Sequence, residues 1–253
     1  MLKLIIFILA GIVSTVFSQP GITVEFEKFE KVYTNPQQSS EKFLEFSLTY
    51  PKFSGTGAAA ETAEFLNNQV IKILFDGEGS AQSLFDKTVQ DHKDAYEGGE
   101  GMGMAWSFES HLDYIKLTDE LGTFTNSGFG YSGGAHGGSW TWYYNFDLKN
   151  NKLITLKDVM NANFLPKLTA EGEKIFRKVK NLKPNQSLEG DFWFENNKFH
   201  LNENFLFTKS GIKFFYNEYE ISCYACGTTE MEIPYKNIKS LINKNGLLKS
   251  FSK

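Results

Sequence analysis

Cysteine is scarce in this chain: two residues in 253. At that length a core can be buried without covalent staples, so the fold does not wait on a disulfide framework. Basic charge is not in excess either. Lys and Arg number 26 against 30 Asp and Glu, a net charge of −4. No Lys/Arg stripe is visible, which argues against a nucleic-acid partner. Internal repeats and low-complexity tracts are absent. Past the N-terminus no run is apolar enough to cross a bilayer.

The long apolar run is Leu4–Val13, with Lys3 before it and Val16-Phe17-Ser18 between it and Gln19. A basic start, an apolar middle and small or tolerated residues before the cleavage point read as a secretory signal peptide over residues 1–18. The run is too short for a comfortable span. An uncleaved N-terminal anchor is the alternative. No cysteine follows it, which excludes a lipoprotein anchor. The expected location is extracytoplasmic, periplasmic or secreted.

What the chain has in quantity is aromatic residues, mostly Phe and Tyr, which favour packed sheets. Phe43–Tyr50 reads as a strand, Ala58–Phe75 as a helix, and Ser80 as the cap of a second helix that ends at Gly98–Gly101. Ala105–Leu117 and Gly122–Tyr131 read as antiparallel strands around an Asp119-Glu120 turn. Gly137–Leu148 is the clearest strand. Leu156 to about Val179 reads as one helix, although Gly172 weakens it. Phe199–Leu201, Phe205–Phe207, Ile212–Tyr216 and Met231–Pro234 read as strands, and Tyr235–Leu248 as a terminal helix. The expected fold is α+β and two-lobed, with mainly antiparallel sheets and flanking helices. The expected lobes are residues 19–127 and 128–253.

Chemistry is suggested most strongly by GFGYSGGAHGG, residues 128–138 preceded by Ser127. Gly130-Tyr131-Ser132-Gly133-Gly134 fits the nucleophile pattern G-x-S-x-G, and Gly128 to Gly133 fits the dinucleotide pattern G-x-G-x-x-G. Both need a helix directly after the glycines. An alternating strand follows instead. A triad from Ser132, Asp158 or Asp191, and His200 can be written, but spacing alone supports it. The better reading is backbone geometry: Gly133, Gly134, Gly137 and Gly138 join two strands tightly, with His136 as a structural histidine. In the following strand Trp140, Trp142 and Tyr144 share a face with Phe146. That face is either sheet core or a sugar-stacking surface.

Cys223 and Cys226 are spaced C-x-x-C. In an exported chain this is a possible small-loop disulfide. Thiol-redox catalysis wants a helix N-terminus there, and the flanks look extended. Zinc would need two more ligands, so no metal and no cofactor is expected. Glu218 with Glu220, or Glu230 with Glu232, are carboxylate pairs that would share a strand face and allow glycoside chemistry; a solvated face is the plainer reading.

Two blocks carry a resemblance. GYSGGAHGGSWTWYYNFDLKNNKLITLKDV and NENFLFTKSGIKFFYNEYEISCYACGTTEMEIPYKNIKSLI resemble the extracytoplasmic domain family found in the anti-sigma factor RsiV and in the non-catalytic N-terminal region of the peptidoglycan deacetylase PdaC. That resemblance implies an α+β domain outside the cytoplasm with a binding role rather than catalysis. It points to an envelope glycan such as peptidoglycan, or to a lysozyme-like protein, as ligand. It supplies no catalytic residues, and neither a sigma-binding segment nor a deacetylase module is present. Cys223 and Cys226 stand where the family has Pro and a small residue. The alternative is an envelope hydrolase, an esterase or deacetylase, using Ser132 or a carboxylate pair.

Overall fold

A computed structural model describes residues 17–19, 21–34, 42–77, 79–97 and 104–251. The apolar run of the expected signal peptide and the glycines expected to end the second helix lie outside the described residues. The fold is α+β. Strands β1 (Phe17–Gln19), β2 (Ile22–Thr34), β3 (Lys42–Gly55), β4 (Trp106–Lys116), β5 (Leu121–Tyr131), β6 (Gly138–Asp147) and β7 (Lys152–Leu153) form a seven-stranded sheet in that order. β1 pairs with β2 through Phe17↔Val24 and Gln19↔Ile22, so it spans the expected cleavage point. A second sheet holds β8 (Phe205–Phe207), β9 (Gly211–Tyr216) and β10 (Thr229–Pro234), antiparallel in the order β10-β9-β8. Helices α1 (Ala59–Phe75) and α2 (Ala81–Glu97) connect β3 to β4. That long crossover lets β3 and β4 run parallel, Leu44 opposite Trp106, where a tight turn would force the antiparallel sense.

The chain divides into two compact units, one of residues 1–113 and 126–140, the other of 114–125 and 141–253. The boundary expected at 127/128 falls inside β5. In the first unit, alternation sets the core. Leu44, Phe46 and Leu48 of β3 meet Ala81, Phe85 and Val89 of α2, spaced four apart on one helix face. Phe46 stacks on Phe108 at 4.8 Å. Ser80 caps α2, accepting from the Ser83 amide at 3.2 Å while Ser83 Oγ accepts from the Ser80 amide at 2.7 Å. On α1, Asn67 accepts from the Phe53 amide at 2.9 Å and donates to its carbonyl at 2.8 Å. Phe53 lies beyond the part of β3 that pairs with β4, so one side chain replaces a missing strand there.

The second unit is built around Phe176, Phe207, Ile212, Phe214, Tyr216 and Ile233, all essentially inaccessible. Here three sequence expectations are corrected. The helix expected over Leu156–Val179 is two helices, α3 (Leu156–Val159) and α4 (Leu165–Val179). Met160 leaves the helix to bridge Ile242, Asn163 takes φ +58°, and Pro166 opens α4. The terminal helix stops after one turn, α5 (Tyr235–Ile238), because Asn161 and Asn243 draw the chain into backbone bonds with Leu241 and Val159. Phe199–Leu201 is not a strand; Phe199 is buried against the rings of Phe176 and Phe194.

One buried group in the first unit resists protonation. His92 of α2 is 4% exposed, ringed by Tyr33, Phe43 and Trp106. Its Nδ1 has no hydrogen-bond partner among the described residues. Burial holds its pKa below the ordinary 6.5, partly offset by a hydrogen bond to the Met104 backbone. A histidine kept neutral by the fold binds fewer protons than in the unfolded chain, so stability falls as pH drops below 6.5. Melting followed from about pH 7 to about pH 5 should show a declining midpoint, and His92→Phe should flatten that decline. An unchanged slope in the variant would assign the decline to other groups.

Candidate functional site

The glycine stretch is the hairpin connection between β5 and β6, with Ser132–Gly137 as loop. No helix follows Ser132, so neither an elbow nor a pyrophosphate site is formed there. Gly133 and Gly134 take φ of +96° and +88°, values that L side chains rarely adopt. Tyr131 Oη closes the loop by donating to the Gly134 carbonyl at 2.9 Å, and His136 Nδ1 donates to the Gly137 carbonyl at 2.8 Å. His136 is exposed and spends that nitrogen on the turn.

The remaining glycines serve close packing. A Cβ on Gly128 would lie 2.7 Å from Trp140 Cε2 and would also strike the Glu109 carbonyl. One on Gly137 would lie 2.7 Å from both the Gly130 carbonyl oxygen and Phe129 Cε2. Large rings therefore cover bare backbone, Trp140 over Gly128 and Phe129 against Gly137. Trp140 also faces Phe108 at 5.6 Å. Further along β6, Trp142 is 45% exposed and Tyr144 is half-buried, with burial raising its hydroxyl pKa.

The other expected chemical groups are engaged locally. Asp158 accepts from the Thr155 amide and hydroxyl, each at 2.8 Å, and pairs with Lys152 at 2.8 Å. The Lys152 ammonium is the main reason its carboxyl is lowered to about 2. Glu218 and Glu220 do not share a strand: residues 217–220 form a turn in which Glu220 accepts from the Asn217 amide at 2.8 Å. Glu230 pairs with Lys213 at 2.9 Å, and Glu232 accepts from Ser210 Oγ at 2.5 Å. Cys223 and Cys226 stand at disulfide-forming distance, Cα atoms 5.2 Å apart, across a single 3-10 turn. His200 is exposed, edge-on to Phe194 at 5.2 Å. Among the described residues no cluster of three or more His, Cys, Asp or Glu is placed to hold a metal ion.

A site the sequence did not reveal lies in the first unit. It is a cleft of about 1000 Å3 whose lining includes Lys28, Glu30, Glu45, Ser47, Glu109 and His111. Strand register explains why these residues meet. Glu30 sits opposite Ser47 across β2–β3, and Ser47 opposite Glu109 across β3–β4. Lys28, Thr49 and His111 form the next row, and Val32, Glu45 and Ser107 the row on the other side. Each row crosses three strands, so its members are scattered through the chain. Within the cleft Lys28 pairs with Glu30 at 2.7 Å, and His111 Nε2 lies 2.9 Å from Glu109 Oε1. These pairs are exposed and add little stability. Phe129, 42% exposed, supplies an apolar wall. The arrangement offers hydroxyls, carboxylates, the ammonium groups of Lys28, Lys31 and Lys93 and one imidazole beside aromatic rings, with no activated nucleophile among the described residues.

With this geometry described, relatives can be placed. Residues 157–236 match the DUF3298 family model, a family described as proteins of unknown function. The match covers α4 and β8–β10 but not the glycine hairpin. Two solved DUF3298 proteins share the fold over nearly the whole chain. The protein from Bacteroides fragilis aligns with a TM-score of 0.73 at 20% identity, covering 95% of this chain and 99% of its own. The protein from Pseudomonas aeruginosa aligns at 0.61 and 15%, covering 88% and 95%. At these identities the likeness is one of fold. No curated protein matches the chain.

Two stability tests follow. Gly128→Ala and Gly137→Ala should each cost about 1–3 kcal/mol by overpacking, while Gly138→Ala, with nothing within 4 Å, should be near neutral; chemical denaturation measures all three. Replacing Cys223 and Cys226 together by serine should cost about 2 kcal/mol at most, because so short a loop forfeits little closure entropy. The same titration reads that loss.

Proposed function

We propose that the protein is an exported, non-catalytic binding protein of the bacterial cell envelope, and that its ligand is a hydroxyl-rich glycan such as peptidoglycan. The observation that carries this reading is the set of cross-strand rows in the first unit whose members, apart from Thr49, line the cleft. Carboxylates accept from sugar hydroxyls, serine and threonine both donate and accept, and Phe129 offers a flat apolar face. Charge-assisted hydrogen bonds of this kind are the stronger ones. The resemblance to the RsiV and PdaC domain family supports a binding role outside the cytoplasm. It also names a lysozyme-like protein as the competing ligand. Export further agrees with the paired cysteines, since such pairs persist outside the reducing cytosol, and among the described residues no helix is long and apolar enough to cross a membrane.

The test is co-sedimentation with purified peptidoglycan, run beside a pull-down on immobilised lysozyme. The full chain should be retained by peptidoglycan. Glu30→Gln with Glu109→Gln should weaken retention about tenfold or more, the loss expected from one to two charge-assisted hydrogen bonds. Retention by lysozyme alone would replace the glycan with a protein ligand, and retention by neither would end the binding reading.

A further inference from the structure

The second unit carries a feature that neither the family match nor the cleft accounts for. Trp193, Tyr219 and Tyr224, from two separated stretches of chain, stack in sequence at its surface. The Trp193 and Tyr219 rings lie 6.3 Å apart at 15°, and the Tyr219 and Tyr224 rings 5.7 Å apart at 29°. Near-parallel rings in van der Waals contact at such centroid distances are displaced sideways by about 4–5 Å. They form steps, each leaving part of its face uncovered. Trp193 is 53% and Tyr219 54% exposed, large values for rings that could have been turned into the aromatic core beneath.

The steps are held rigidly. Tyr219 takes φ +62°, a left-handed conformation that is strained for a bulky side chain. The turn that imposes it is closed by Glu220, whose carboxylate accepts from the Asn217 amide at 2.8 Å and from Asn202 Nδ2 at 2.6 Å. Trp193 is fixed by its amide, which donates to the Ile221 carbonyl at 2.9 Å, and Ile221 is buried. Tyr224 opens the 3-10 turn spanned by Cys223 and Cys226. Backbone strain, a cysteine-bridged turn and a buried anchor thus converge to present three rings to solvent. A platform fixed in advance loses little entropy when it binds.

We infer that the Trp193–Tyr219–Tyr224 steps are a second glycan-binding surface, taking a pyranose chain that carries no carboxylate or phosphate. Successive sugar rings present C–H faces that pack on aromatic faces, and their hydroxyls need acceptors nearby. The stretches that carry the rings, 189–195 and 217–227, also carry Glu189, Asp191, Glu195, Glu218 and Glu220, with no Lys or Arg among them. Like charge rejects an acidic polysaccharide. The surface rests on the reading of the protein as a glycan binder but lies in the other unit from the cleft, so two weak sites on one chain would act together on a polymer.

Calorimetric titration with four neutral or amino-sugar hexasaccharides (cellohexaose, mannohexaose, N-acetylchitohexaose and chitosan hexaose) tests it, with polygalacturonate and polylysine as controls. The deciding variant is Tyr219→Gly, which removes the middle ring and relieves the left-handed backbone, so it should melt no lower than the parent. At least one hexasaccharide should bind the parent, and Tyr219→Gly and Trp193→Ala should each weaken it tenfold or more. Equal binding of polygalacturonate, or binding of polylysine alone, overturns the proposal. If binding to hexasaccharide and peptidoglycan survives in Tyr219→Gly but is lost in the Glu30→Gln, Glu109→Gln protein, the steps are not a site and the cleft reading stands. Failure of the parent to bind any hexasaccharide or peptidoglycan overturns both.

Discussion

Strand edges have to be completed, and in this protein asparagine side chains complete them. Along β6, residues Thr141 to Asn145 lie outside the short pairing with β7, which covers only Phe146 and Asp147. Asn217 accepts from the Thr141 amide at 2.8 Å, and Asn204 accepts from the Tyr143 amide at 2.9 Å while donating to the Thr141 carbonyl at 2.8 Å. Asn145 reverses the direction, donating to the Phe205 carbonyl at 2.8 Å and accepting from the Phe207 amide at 3.0 Å. These amides tie β6 to the three-stranded sheet within the second unit. Asn145 and Asn204 are buried, where an unpaired backbone group costs about 1–3 kcal/mol. Asn67 does the same for Phe53 in the first unit. A carboxamide carries a donor and an acceptor side by side, as a peptide group does.

That constraint orders much else. The first half of β6 lays Trp140 over Gly128, so the glycines of the hairpin serve close packing. The Asn217 that holds Thr141 also begins the turn that forces Tyr219 into its left-handed conformation. The surface steps and the strand edge therefore share a residue.

Much of the fold was legible in the sequence. The alternation in residues 138–147, the helical spacing of Leu66 and Val70, and the Ser80 cap are local signals, and local physics produced the elements they announce. The breaks were not legible. Nothing in LKDVMNANF says that Met160 will leave its helix to bridge Ile242, since that choice is made by a partner 82 positions away. The terminal helix failed for the same reason, its residues being claimed by Asn161 and Val159. The cleft was invisible because its members enter a few at a time from β2, β3, α2, β4 and β5.

By itself the sequence determined the class of fold, the exclusion of an elbow or dinucleotide loop at Ser132, and the close cysteine pair. Each of these depends on neighbours in the chain, which the sequence reports directly. Tertiary structure alone decided which carboxylates stand beside Ser47, which rings remain at the surface and which strand edges asparagine would complete. Those outcomes depend on register and on contacts between distant segments, whose free energy is settled only when the whole core closes.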